Sequence, residues 1–116
     1  MKYMLLIYDE ENSFAKMSEG QVKEIMGAFQ SYTEAIRKAN VLVDSSRLRP
    51  VADATTVQVK SGKTSVLNGP YAETKEQLGG YYLIDVLDLD QAIGWAARCP
   101  GATWGKIEIR PLWPTG

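Results

Sequence analysis

Histidine is absent from all 116 residues of this chain. That removes the commonest general base and the commonest transition-metal ligand together. It excludes Ser-His-Asp and Cys-His mechanisms, and any zinc or iron centre held through imidazole. Proton transfer, if the protein performs it, falls to Asp, Glu, Lys, Tyr or water. No metal and no cofactor is expected. A flavin or haem finds no phosphate-binding glycine pattern, no imidazole ligand and no cysteine in a suitable motif.

Cysteine is nearly absent too. Cys99 stands alone, so an intrachain disulfide is ruled out and a reducing, cytoplasmic setting is the expectation. We read Cys99 as a small buried apolar residue late in a helix rather than as a reactive thiol. Long apolar runs are also missing: Tyr3 to Tyr8 is far too short for a signal peptide or a membrane span. Nor does either charge dominate. Thirteen Lys and Arg stand against 14 Asp and Glu, for a net charge of −1. The cations are scattered, without the basic stripe that nucleic acid or an anionic membrane would require. Neither is expected as a partner. No linker, low-complexity segment or repeat divides the chain, so residues 1–116 read as one domain. A domain of this length buries roughly two-thirds of its unfolded-chain surface.

What is present is a clear alternation of elements. Lys2 to Tyr8 (KYMLLIY) is apolar on both faces, with Tyr3, Leu5 and Ile7 on one and Met4, Leu6 and Tyr8 on the other. That pattern predicts a strand covered on both sides. Asp9 to Lys16 is polar and reads as a loop. Ser18, with Gln21 at the capping-box position, opens a helix. Val22, Ile25, Met26, Phe29, Ile36 and Ala39 carry its spacing to Asn40, a left-handed cap. Val41 to Leu48 is a second strand, ended by Pro50. Thr55–Lys60 and Lys63–Leu67 flank Ser61-Gly62, a two-residue hairpin turn. Gly80 to Val86 is again apolar on both faces. Asp88 caps a second helix whose buried stripe is Leu89, Ala92, Ile93, Ala96 and Ala97, stopped by Pro100-Gly101. Lys106 to Arg110 (KIEIR) is a half-exposed last strand, and Pro111 to Gly116 a tail.

With the hairpin set aside, the order β-α-β-β-α-β is the ferredoxin-like α+β pattern, with the first and third major strands in mid-sheet. Those are the two runs that are apolar on both faces. Two helices cover one face of such a sheet, so the other needs a cover. Either a partner subunit lays its own sheet there, giving a homodimer, or the hairpin folds across it. The first is preferred, because two short strands span too little apolar area.

The stretch from Asn68 to Val86, NGPYAETKEQLGGYYLIDV, resembles the DGPF-A-E-T-K-E signature of the YCII-related domain family, DGPF subgroup. The resemblance extends through DLDQAIGWAARCPGA and IEIRP, and back to MKYMLLIY, covering nearly the whole chain. It implies a ferredoxin-like subunit paired into a dimeric α/β barrel, with a cleft beside the sheet. It implies little about activity. One branch of the family is proposed to use a His–Asp pair, which has no counterpart here. Asn68 stands where the signature carries aspartate, so a proton-accepting role at that position would be lost, whereas a turn role would survive. Tyr71 keeps the ring of the usual phenylalanine and adds a hydroxyl.

The candidate site residues follow from this stretch and from the strand ends. Asn68-Gly69-Pro70 forms a turn, and Gly79-Gly80 lets the backbone approach a neighbour closely. Glu73 and Lys75 are either solvated charges or a carboxylate base and an ammonium anchor in a cleft. Arg47, near a strand end, is either surface charge or a fork for a planar anion. Tyr8 and Asp9 end the first central strand, where pockets of such sheets open. One of Tyr81 and Tyr82 faces the cleft and the other packs under a helix. Trp95, Trp104 and Trp113 read as packing or interface anchors. Two functions remain open. The preferred one is a small-molecule-binding or regulatory module, whose ligand contacts are Tyr8, Arg47, Asn68, Gly69, Pro70, Tyr71 and Tyr82. The alternative is a cofactor-free enzyme performing proton transfer or hydrolysis through Glu73, Lys75 and Asp9.

Overall fold

The two runs that are apolar on both faces become the two central strands of one antiparallel sheet. In the computed structural model, which describes residues 1–114, β1 (Lys2–Asp9) lies between β5 (Gln77–Asp85) and β6 (Lys106–Pro111). The strand order is β2-β5-β1-β6, with β2 spanning Leu42–Arg47. This mixed α+β topology is compatible with the ferredoxin-like pattern. Of the tail expected from Pro111 onward, Pro111 closes β6, and Thr115 and Gly116 lie outside the described residues.

Register sets the two faces. Leu5 pairs with Tyr82 on one side and Ile109 on the other, and Ile7 pairs with Gly80 and Ile107. With Tyr3 and Ile84 these side chains form the helix-covered face. Leu5 and Ile84 are fully buried there. The cover is α2 (Glu19–Lys38), which contributes Ile25, Tyr32 and Ile36, and α3 (Leu89–Arg98), which contributes Ala92 and Ala96. The start of α2 is fixed as its sequence predicts. The Ser18 hydroxyl accepts from the Gln21 N–H at 3.1 Å, and the Gln21 side chain accepts from the Ser18 N–H at 3.0 Å. Asn40, at φ 59°, takes the left-handed conformation that ends it.

Two expectations need correction. The loop predicted from Asp9 to Lys16 contains a short helix, α1 (Glu11–Ala15). Its support is tertiary: the Glu11 carboxylate accepts from the Val51 N–H at 3.0 Å, and its own N–H donates to the Gln77 side chain at 3.0 Å. The stripe of α3 is narrower than predicted, because Leu89 and Ile93 are half-exposed while Ala92, Ala96 and the following Cys99 are buried. Ala97 is exposed as well: at 3.6 residues per turn Leu89, Ile93 and Ala97 fall on the flank of the face that Ala92, Ala96 and Cys99 bury. Trp113, read as a packing or interface anchor, is almost wholly exposed, which takes it out of the core and leaves the interface reading open.

The hairpin formed by β3 (Thr55–Lys60) and β4 (Lys63–Asn68) is a separate two-stranded sheet. Ser61 and Gly62, at φ 50° and 77°, make the left-handed two-residue turn. Nearly every hairpin residue is exposed, so the hairpin does not fold across the open face. That face carries Met4, Leu6, Tyr8, Leu78, Tyr81 and Leu83, none of them fully buried. A last short helix, α4 (Gly101–Trp104), leads into β6. Gly105 between them is obligatory, since a Cβ there would overlap the Tyr8 carbonyl oxygen.

Candidate functional site

A cavity of about 500 Å³ opens at one end of the helix-covered face, where β1, β2 and β5 meet α1 and α2. Irregularities in pairing create it. β5 carries one unpaired residue, Gly79, where the register with β1 shifts between Ile7 and Tyr8. A bulge of this kind re-aims the residues beyond it. Gly80 lies against β2 so closely that a Cβ would come within 2.8 Å of the Ser46 carbonyl oxygen. A Cβ on Gly79 would point at the Asp9 carboxylate, 3.7 Å away. The glycine pair therefore serves both close backbone approach and open space beside Asp9.

The walls are mainly apolar: Ile7 from β1, Phe14 from α1, and Met26 and Phe29 from α2. Deep in the cavity the Tyr82 hydroxyl lies 2.8 Å from Thr33 Oγ1. Thr33 spends its own proton on the Phe29 carbonyl at 2.9 Å. Tyr82 must therefore donate to Thr33, and its oxygen faces the cavity as an acceptor. The Tyr82 ring is held edge-on to Tyr32, with centroids 5.2 Å apart, and Tyr32 donates to the Trp95 carbonyl at 2.7 Å.

Charge gathers at the mouth. The Arg47 guanidinium sits 5.8 Å from the Phe14 ring centroid, and the Glu11 carboxylate is held by the Val51 N–H. Asp9 has its carboxyl held above the ordinary range, first by burial, then by the carboxylates of Glu11 and Glu76, against the opposing pull of Arg47. Yet Arg47 and Asp9 form no ion pair with each other. Cys99, outside the cavity, has its thiol pushed up to about 11 by burial, which keeps it protonated and unreactive.

The sequence candidates thus divide. Asp9, Arg47 and Tyr82 meet in the cavity. Tyr8 points to the opposite, open face, paired with Leu78. Asn68 is the last residue of β4, opposite Thr55. Gly69, at φ 129°, donates to the Ala54 carbonyl at 2.7 Å and accepts from the Thr56 hydroxyl at 2.8 Å. With Pro70 after it, this turn closes the base of the hairpin, and Tyr71 projects into solvent. Glu73 and Lys75 are exposed, with Lys75 Nζ 3.9 Å from a Glu10 carboxylate oxygen. They lie outside the cavity lining. Glu11, Phe14, Thr33 and Ser45 line it without having been singled out. Of these only Ser45 left a trace in the sequence, two residues before Arg47 and so on the same strand face.

Among the described residues no three His, Cys, Asp or Glu side chains gather as metal ligands, and no helix is long and apolar enough to cross a membrane.

Fold and site together define a small α+β domain with a half-open, mainly apolar cavity against its sheet. The YCII-related domain model matches residues 1–115. An uncharacterised protein of Rhizobium meliloti (strain 1021) is 36% identical over 114 residues, covering 97% of this chain and 92% of the relative. The chain belongs to the YCII-related domain family.

Proposed function

We propose that this chain is a small-molecule-binding or regulatory module of the DGPF subgroup, cytoplasmic and homodimeric through its open sheet face. Its binding site is the cavity between the sheet and α1 and α2. One observation carries this reading: a cavity of about 500 Å³, within the range of small-molecule sites, with apolar walls and a few polar groups at mouth and floor. The expected result of a metabolite-library thermal-shift screen on the purified protein is a rise in melting temperature with a small subset of compounds. Loss of that rise on Phe29→Trp, which fills the cavity, ties it to this site. A screen without any stabilising compound speaks against the reading.

A second reading is favoured by Asp9 in particular. A carboxyl raised by burial beside an apolar cavity suits general acid–base work. In that version the protein is a cofactor-free enzyme acting on a small metabolite, with Asp9 exchanging the proton. Glu73 and Lys75 enter only if their segment swings toward the mouth. Turnover that survives Asp9→Asn unchanged would remove this alternative.

A further inference from the structure

We infer that the cavity takes a small acid with an aromatic or apolar body and a hydrogen-bond donor beside its carboxylate, an aromatic α-hydroxy or α-amino acid. The inference rests on the binding reading of the cavity and specifies its ligand.

Three features of the cavity converge on that class. The first is the state of Arg47. It lies on the helix side of β2, opposite Gly80, with its guanidinium against the Phe14 ring. Among the described residues it makes no ion pair and no side-chain hydrogen bond. A planar fork of donors, exposed at the mouth beside a ring and without a protein partner, matches a carboxylate.

The second is the state of Asp9. Its carboxyl likewise has no hydrogen-bond partner among the described residues, although it lines the same cavity. The nearby carboxylates are already engaged: Glu11 with the Val51 N–H, and Glu76 with Lys106 at 2.6 Å. Among the described residues Asp9 is the carboxyl of the three with neither oxygen engaged, and it calls for a donor, a hydroxyl or an ammonium group. Because Asp9 and Arg47 share the mouth without pairing, one ligand end bearing both groups satisfies both.

The third is the floor, which fixes the direction of entry. The chain of donations from Tyr82 to Thr33 to the Phe29 carbonyl leaves no proton to offer inward. A carboxylate gains nothing there. The ring enters first, between Ile7, Met26 and Phe29, and the acid end stays at the mouth.

Methyl NMR of the full chain, following Ile7 and Met26, tests this with five probes: phenyllactate, phenylalanine, 3-phenylpropionate, phenethylamine and benzene. Phenyllactate or phenylalanine is expected to shift both resonances. Its affinity should exceed that of 3-phenylpropionate and phenethylamine by about tenfold or more, as one added charge-assisted hydrogen bond gives. The tighter of the two acids identifies the donor. Arg47→Gln should erase the advantage over phenethylamine, and Asp9→Ala the advantage over 3-phenylpropionate. An unchanged methyl spectrum of each unliganded variant certifies its fold. If all five probes shift the methyls with similar affinity, the ligand class is wrong while the cavity stands as a binding site. If none shifts them, the ligand class is wrong, and the binding reading falls with it only when the metabolite-library screen is also without a stabilising compound.

Discussion

At the level of single residues, the position of Asp9 makes a thermodynamic statement. Its pKa in the fold is raised above the ordinary aspartate range, by burial and then by Glu11 and Glu76, with Arg47 opposing. A raised acid pKa means that the folded chain holds this proton more tightly than the unfolded chain. The stabilisation from the protonated form is complete below the unfolded value. It is lost as pH rises through the folded one. At neutral pH the ionised carboxyl therefore costs stability, which the fold tolerates at this place and which a binding site would use. Asp9→Asn keeps the shape and removes the charge. It is expected to raise the urea midpoint at neutral pH, with the gain shrinking as pH falls toward the ordinary aspartate range. A lower midpoint at neutral pH would mean that the carboxylate is held by a partner rather than strained by its neighbours.

Among the secondary-structure elements, local signals were legible and contacts between distant segments were not. The capping box at Ser18 and Gln21, the left-handed Asn40 and the Ser61-Gly62 turn are each decided within a few residues, and each appears as read. So do the two central strands, because apolarity on both faces is a property of the run itself. Helix α1 was invisible for the opposite reason. Its five residues lack a side-chain cap, and its stability comes from Val51 and Gln77, dozens of residues away. The cavity was half legible: Asp9 and Arg47 stand at or near strand ends, but Phe14 and Thr33 reach it only through packing. The same distinction governs the hairpin. Its register puts Val57 opposite Val66, with Val59 on the same face, and all three are more than half exposed. Local turn chemistry, not burial, fixes this element. Val57→Thr with Val66→Thr keeps the β-branching and is expected to change unfolding free energy by less than about 0.5 kcal/mol per site, the usual range for surface positions. A loss well beyond that in chemical denaturation would mean that something covers the valine face.

The dimensions of the molecule bring the uncovered surface into view. The chain measures 47 × 44 × 19 Å, with a radius of gyration of 16.2 Å. A compact domain of this length has about 13 Å. The excess belongs to the outstretched hairpin and to a sheet with helices on one side. The bare side has an apolar centre of Met4, Leu6, Leu78 and Leu83. Its rim is polar: Lys106, Glu108 and Arg110 on β6, and on β2 Asp44, which accepts from the Tyr81 hydroxyl at 2.9 Å. A dry centre inside a charged rim is the anatomy of a protein–protein contact. A rim that carries both signs can pair with itself across a two-fold axis. Leu83→Lys places a cation at the centre of that face, and a self-pairing contact would bury two of them near the axis, each unpaired. Sedimentation equilibrium is expected to give a dimer for the unaltered chain and a folded monomer for Leu83→Lys, with helix and strand signals in circular dichroism retained. The cavity lies on the other side of the sheet, so the monomeric variant should still take up its ligand. If the unaltered chain sediments as a single subunit at every concentration, the proposed pairing through this face is refuted, while the cavity proposal stands untouched.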